Sequence, residues 1–121
     1  MGNPRTVLLI DDDEHTLMVF KDIIETKNHT VYTCKDSPQA IHDYIKLSPD
    51  VVIMDLQMPQ QSGCTVIDKI KQYDPYANIV VVTGHPNYDK DCKKIKVEYS
   101  IPIYLKPIHA EKLQNIVHGT N

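Results

Sequence analysis

Four apolar runs in this sequence each end in a residue that can do polar chemistry. Thr6-Val7-Leu8-Leu9-Ile10 runs into Asp11-Asp12-Asp13, and Val51-Val52-Ile53-Met54 runs into Asp55. Ile79-Val80-Val81-Val82 ends at Thr83-Gly84, and the run Ile101 to Leu105 ends at Lys106-Pro107. An isolated aspartate after such a run is ordinarily a turn or cap residue, and an isolated lysine a solvated charge. Four such endings in one chain are harder to assign to chance. Carboxylates held a few ångströms apart either take up a proton or accept a cation between them. A small set of hard oxygen ligands with room for water favours Mg²⁺. An aspartate can act as a nucleophile toward phosphorus, and a hydroxyl and an ammonium can neutralise the phosphoryl oxygens.

These groups meet only if the runs are parallel strands. A continuous apolar run between turn signals reads as a strand buried on both faces. Ser48-Pro49-Asp50 precedes Val51, and Met58-Pro59 and Gly63 follow Asp55. Between the strands lie helical patterns. Leu17, Phe20, Ile23 and Ile24 give one apolar stripe in 14–27, with Asp13 or Glu14 at its positive end and Asn28 as its stop. Val31 to Cys34 is a short strand. Ser37-Pro38 reads as cap and first-turn proline of a helix striped by Ala40, Ile41, Tyr44 and Ile45. Val66, Ile67 and Ile70 mark a third helix, closed by Asp74-Pro75. Tyr88, Cys92, Ile95 and Tyr99 mark a fourth, and Leu113, Ile116 and Val117 a last one. Pro102 puts the fifth strand's start at a sheet edge. Strand and helix alternate five times with no linker, so the expectation is one α/β domain over residues 1–121. Its parallel sheet is covered on both faces and joined by right-handed crossovers. All strands then deliver their final residues to one edge, where ligands bind in open sheets.

The 121 residues suit one domain with a real core. A net charge of -3 leaves no footprint for nucleic acid or an anionic membrane. No run approaches a membrane span or signal-peptide core, so a cytoplasmic setting is expected. The myristoylation-like start Met1-Gly2 and the acceptor-like Asn28-His29-Thr30 are expected to be chance matches. Cys34, Cys64 and Cys92 fit neither a disulfide framework nor a zinc site, and are expected as small buried residues in a reducing compartment. His15, His29, His42, His109 and His118 show no ligand spacing and are expected at the surface or in caps.

Taken together, Val7 to Asp13, Val51 to Pro59 with Gly63, Val82-Thr83-Gly84 and Tyr104-Leu105-Lys106-Pro107 resemble the receiver domain of two-component response regulators, of the chemotaxis-regulator kind. The resemblance covers essentially the whole chain in order. It implies a doubly wound (βα)5 flavodoxin-like domain with strand order 2-1-3-4-5. It implies Asp55 as phosphoacceptor and also a Mg²⁺ ligand, with Asp12 a direct Mg²⁺ ligand, Asp11 a water-mediated or weaker one, and the backbone carbonyl of Gln57 a further ligand. Thr83 and Lys106 would hold the phosphoryl group, and Lys106-Pro107 would be cis. Asp11 and Asp12 are taken as the acidic pair because they directly follow the strand, leaving Asp13 to start the helix. The implied partners are a sensor histidine kinase or phosphotransfer protein upstream, and a separate protein or fused effector downstream. No nucleic acid or membrane contact by this domain is implied.

Two departures stand out. The family places an aromatic residue three before the lysine, where it relays the state of the threonine to the face formed by the fourth helix, fifth strand and fifth helix. Here that residue is Ile103, and Tyr104, one place on, should point to the opposite face. Val97-Glu98-Tyr99-Ser100 replaces the family's small residues and suggests an offset fourth helix. Intact phosphorylation with an atypical response is therefore expected. Gln57 and His85, two past Asp55 and Thr83, should overhang the acyl phosphate, where His85 could tune its lifetime near neutral pH. The competing reading is a Mg²⁺-dependent phosphohydrolase with an aspartate nucleophile. Such enzymes need a second acid where this chain has Gln57, and a cap that 121 residues do not accommodate. A flavin or nucleotide binder would need a phosphate loop where Asp11-Asp12-Asp13 stands. The reading is thus a signalling switch, not a metabolic enzyme.

Overall fold

A computed structural model describes residues 3–84 and 92–119. Five strands and five helices alternate: β1 (Thr6–Ile10), α1 (Glu14–Glu25), β2 (Thr30–Cys34), α2 (Ser37–Leu47), β3 (Val51–Met54), α3 (Gly63–Tyr73), β4 (Ile79–Thr83), α4 (Cys92–Glu98), β5 (Ile103–Leu105) and α5 (Ala110–His118). The strands form one parallel sheet in the order β2-β1-β3-β4-β5.

The apolar runs explain the layering. Successive strand residues face opposite sides of a sheet. Leu8, Ile10, Val52, Met54 and Val81 face one side, under Ala40, Tyr44, Ile67, Ile70 and Ile95 of α2, α3 and α4. Val7, Leu9, Val51, Ile53, Val80 and Val82 face the other, under Leu17, Ile24, Leu113, Ile116 and Val117 of α1 and α5. Strands buried on both sides need no polar alternation, which is why they read as unbroken runs. Each fully buried Leu or Ile contributes roughly 1.5–3 kcal/mol, so the central strands are a rigid base for whatever their ends carry.

Asp13 starts α1 as expected, and several other local expectations shift. Asp13 is the N-cap of α1, accepting from the backbone N–H of His15 and the hydroxyl of Thr16. Asn28, past the end of α1, has φ 66°, a left-handed conformation that asparagine tolerates. Ser37 is not a cap: Asp36 holds that position and Ser37 is the first helical residue. The described part of α4 begins at Cys92, and Tyr88 lies outside the described residues. Tyr99 follows α4, joins the core beside Ile103 and donates its hydroxyl to Asp68 of α3; that bond, with burial, pushes its pKa up to about 12. The fifth strand starts at Ile103 rather than Ile101, because Pro102 has no N–H for the ladder.

Two further expectations are corrected. His29 is buried, not on the surface, because it lies against His118 at the end of α5. Cys64 is disulfide-bonded rather than a reduced thiol. Cys34 is free and buried, and burial pushes its thiol up to about 11, which makes it unreactive. Among the described residues, no helix is long and apolar enough to cross a membrane.

Candidate functional site

Strand register brings the four run endings together. The N–H of Asp11 donates to Cys34 O (3.1 Å), and that of Asp55 to Ile10 O (3.0 Å), so both aspartates extend the ladder one step past their strands. The N–H of Lys106 likewise donates to Thr83 O at 2.9 Å. Asp11 and Asp55 are 5% and 6% exposed and Thr83 is fully buried.

The side chains form one bonded group. Lys106 Nζ donates to Asp55 Oδ2 at 2.8 Å and to Asp11 Oδ2 at 2.9 Å. Thr83 Oγ1 donates to Asp55 Oδ1 at 2.7 Å, and the N–H of Gln57 reaches the same oxygen at 3.1 Å. The remaining oxygen of Asp11 accepts the N–H of Asp13 at 3.0 Å. Every oxygen of the two buried carboxylates is therefore satisfied, as burial of charge demands. Burial would lower the pKa of Lys106, but its bonds to Asp55 and Asp11 outweigh that and raise it, so the ammonium stays charged. Burial raises the pKa of Asp11, against the lowering pull of the Asp13 N–H and of Lys106. Two carboxylates against one ammonium leave the base of the site with a surplus negative charge.

That surplus bears on the metal question. Among the described residues, no three or more His, Cys, Asp or Glu side chains are grouped to hold a metal by themselves. A closed, all-protein cage is thus not what the site offers. Mg²⁺ does not need one: it binds through one or two carboxylates and keeps its remaining ligands as water and phosphate oxygens. Asp11 and Asp55, the two buried carboxylates at the base, are an all-oxygen pair of the kind such an ion uses.

Asp11, Asp55, Thr83 and Lys106 thus meet as the sequence implied. Asp12 is exposed and outside the bonded group. Gln57 joins it through its N–H, with an exposed side chain. His85 lies outside the described residues. Ile103 joins the α2/α3/α4 core and Tyr104 the α1/α5 core, on opposite faces as expected, with Lys112 Nζ 4.9 Å from the centre of the Tyr104 ring. The peptide bond Lys106-Pro107 is cis. Sequence reasoning missed the tightness around Gly63: a Cβ there would lie 2.5 Å from Asp55 O and 2.6 Å from Leu56 Cα. It also missed Ser37, whose hydroxyl accepts the N–H of Gln61 at 2.9 Å; the proline after it had suggested a cap.

A five-stranded doubly wound parallel sheet with an Asp-Asp-Thr-Lys group at its carboxyl edge defines an α/β domain with its polar site at the strand ends. Residues 7–118 match the response regulator receiver domain, and the chain belongs to that family of two-component, phosphorylatable switches. The chain is 29% identical over 116 residues to the chemotaxis protein CheY of Bacillus subtilis, covering 94% of this chain and 95% of that one. It is 36% identical over 81 residues to CheY of Thermotoga maritima, 66% and 68% of the two chains. A receiver-domain structure from Clostridium thermocellum superposes with a TM-score of 0.83 at 28% identity, over 94% and 91% of the chains.

Proposed function

We propose that Asp55 accepts a phosphoryl group from a phosphohistidine of a sensor histidine kinase or phosphotransfer protein. The similarity to part of the sensor histidine kinase TmoS of Ectopseudomonas mendocina, 29% identical over 112 residues, supports a partner of this kind. The observation that supports this best is the set of donors on Asp55: Lys106 on one oxygen, Thr83 and the Gln57 N–H on the other. In the transfer, a carboxylate oxygen of Asp55 forms the new O–P bond as the N–P bond breaks, and the electron pair returns to the donor imidazole. The donors that now neutralise the carboxylate are already placed to follow the charge onto the phosphoryl oxygens. Asp11, Asp12 and Asp55, with the carbonyl of Gln57, would hold Mg²⁺, which when bound spreads the charge of the phosphoryl oxygens. Phosphorylation adds about 1.5 to 2 negative charges. Thr83, which already donates to Asp55 Oδ1, would turn its hydroxyl onto a phosphoryl oxygen, and Ile103, on the same face of the sheet, would repack beside it. Contacts with a downstream protein or effector would change on the face of α4, β5 and α5.

The test is incubation with Mg²⁺ and acetyl phosphate, read by intact mass. A lasting adduct of one phosphoryl group on wild type, absent from Asp55→Asn, is expected. Sustained turnover of the phosphodonor without an adduct would overturn the switch reading.

A further inference from the structure

Ser37 sits in the first turn of α2, one residue past the N-cap Asp36. It is 1% exposed, in a chain where serines are otherwise turn and cap residues, and Oγ accepts the N–H of Gln61 at 2.9 Å, 24 residues away. Gln61 belongs to the β3–α3 loop, the segment that begins at Asp55 and includes Gln57. That loop is closed on itself by the N–H of Gly63 donating to Leu56 O at 2.9 Å. Leu56 and Met58 bury their side chains in the core at its start, and the Gln61 N–H ties its α3 end to Ser37. The same short connection, 34–37, also holds the other acidic segment: Cys34 O accepts the N–H of Asp11 at 3.1 Å. Within the connection, Cys34 Sγ donates to Asp36 O at 3.2 Å, which stiffens it. The β2–α2 connection therefore braces both halves of the acidic site, Asp11-Asp12 on one side and Asp55-Gln57 on the other.

We infer that Ser37 is a positioning residue for the cation side of the site: its hydroxyl sets where the β3–α3 loop, and with it the Gln57 backbone, stands relative to Asp11 and Asp12. This rests on the proposed Mg²⁺-dependent phosphorylation of Asp55. The physical reasoning is local. A loop of this length samples many conformations unless contacts outside it hold it, and the Ser37–Gln61 bond holds its α3 end. A buried backbone N–H that loses its acceptor must find another, and the loop moves to do so. Outer groups that orient ligands typically change metal affinity by 10–100-fold when removed, while leaving the ligands themselves in place.

The experiment is a Mg²⁺ titration without phosphodonor, read by tyrosine fluorescence or by amide shifts, alongside the phosphorylation rate against Mg²⁺ concentration. Ser37→Ala is expected to raise the half-saturating Mg²⁺ concentration about tenfold and to leave the rate at saturating Mg²⁺ within about twofold of wild type, and Ser37→Thr, which keeps the acceptor, to lie close to wild type. In wild type, the Gln61 amide is expected to exchange with solvent much more slowly than the amides of Gln60 and Ser62. A wild-type titration curve for Ser37→Ala, or a lower saturating rate at unchanged half-saturation, would overturn the inference. If Ser37→Ala does not fold, the wild-type Gln61 amide decides: rapid exchange overturns it. If wild type itself neither binds Mg²⁺ nor is phosphorylated, the underlying functional reading fails instead, and the Gln61 exchange still reports whether the brace exists.

Discussion

Asp55 and His29 are 6% and 5% exposed, at opposite ends of the same parallel sheet, and the fold treats their charge in opposite ways. At the carboxyl end, Asp55 is surrounded by donors, and a charged lysine bridges it to Asp11. At the amino end, His29 Nδ1 accepts the backbone N–H of Arg5 at 2.9 Å, its ring meets His118 edge-on at 4.9 Å, and Nε2 has no partner among the described residues. Burial first, then His118 and Arg5, lower the pKa of His29, so the imidazole is held neutral. One end holds charge in place with donors and a lysine; the other excludes charge. Equal burial therefore says nothing about function until the partners are counted.

Removing the bridging cation should break that contrast most sharply. Lys106→Met keeps the apolar stem but leaves two buried carboxylates facing each other. Breaking a buried pair costs about 3–5 kcal/mol; with the lysine side chain 26% exposed, about 2 kcal/mol is expected at neutral pH after screening. The sign follows from Asp11. Its pKa is raised in the fold, so its favourable contribution is present below the ordinary aspartate range and lost as pH rises through its folded pKa. The Lys106→Met deficit should accordingly shrink as pH falls toward about 4, and also on adding Mg²⁺ at neutral pH. Urea unfolding across pH, with and without Mg²⁺, checks both; a deficit indifferent to Mg²⁺ would mean that the carboxylates form no cation site.

The contrast between the ends also separates what the sequence disclosed from what it hid. Asp11, Asp55, Thr83 and Lys106 were readable because each terminates an apolar run, and parallel strands must bring their ends to one edge. The two-sided burial of β1, β3 and β4 wrote the fold into contiguous residues. His29 offered no such pattern: its burial depends on His118, 89 residues away, and Asn28-His29-Thr30 looks like any turn. Ser37 misled for a related reason. Ser-Pro at a helix start is a sound capping signal, but the preceding Asp36 took the cap position and left the hydroxyl for a distant loop. Gly63 was noticed as a turn signal, whereas its actual constraint is contact with the backbone of Asp55 and Leu56.

That contact gives the next largest effect. Gly63→Ala places a methyl group against two backbone atoms that cannot rotate away, so the β3–α3 loop must shift. Overpacking of this kind costs about 1–3 kcal/mol. Because the displaced atoms include the carbonyl of Asp55, phosphorylation by acetyl phosphate should slow as well. Unfolding curves and phosphorylation rates measured together should move in the same direction. A stability loss with an unchanged rate would place the strain in α3 alone.

A smaller effect is expected at the amino end. The lowered pKa of His29 means that its neutral form contributes stability above its ordinary pKa of about 6.5, and that this is lost as pH falls. His29→Gln retains an acceptor for the Arg5 N–H and cannot be protonated. The Tm of wild type should drop more than that of His29→Gln between neutral pH and mildly acidic pH, by a few degrees, with the phosphorylation rate at neutral pH unchanged by the substitution. Parallel pH profiles would show that the amino end also tolerates charge.

The smallest effect concerns how far a change at Asp55 spreads. In the β4–β5 ladder, Val81 stands beside Ile103, Val82 beside Tyr104 and Thr83 beside Leu105. Alternation puts Thr83 on the same face as Val81 and Ile103, toward α4 and the Tyr99–Asp68 bond, and puts Tyr104 on the other, toward α1 and α5. A threonine that passes its hydroxyl bond from Asp55 to a phosphoryl oxygen changes the packing on its own face, and Ile103, only partly buried, can repack beside it without crossing the sheet. The Tyr104 ring, held among the α1/α5 residues under Lys112, has no such opening. On phosphorylation, the methyl resonances of Ile103 and the ring resonances of Tyr99 should shift clearly more than the ring resonances of Tyr104. If Tyr104 moves most, the signal passes through the sheet to the α1/α5 side, and the two faces are coupled more tightly than their separate cores imply.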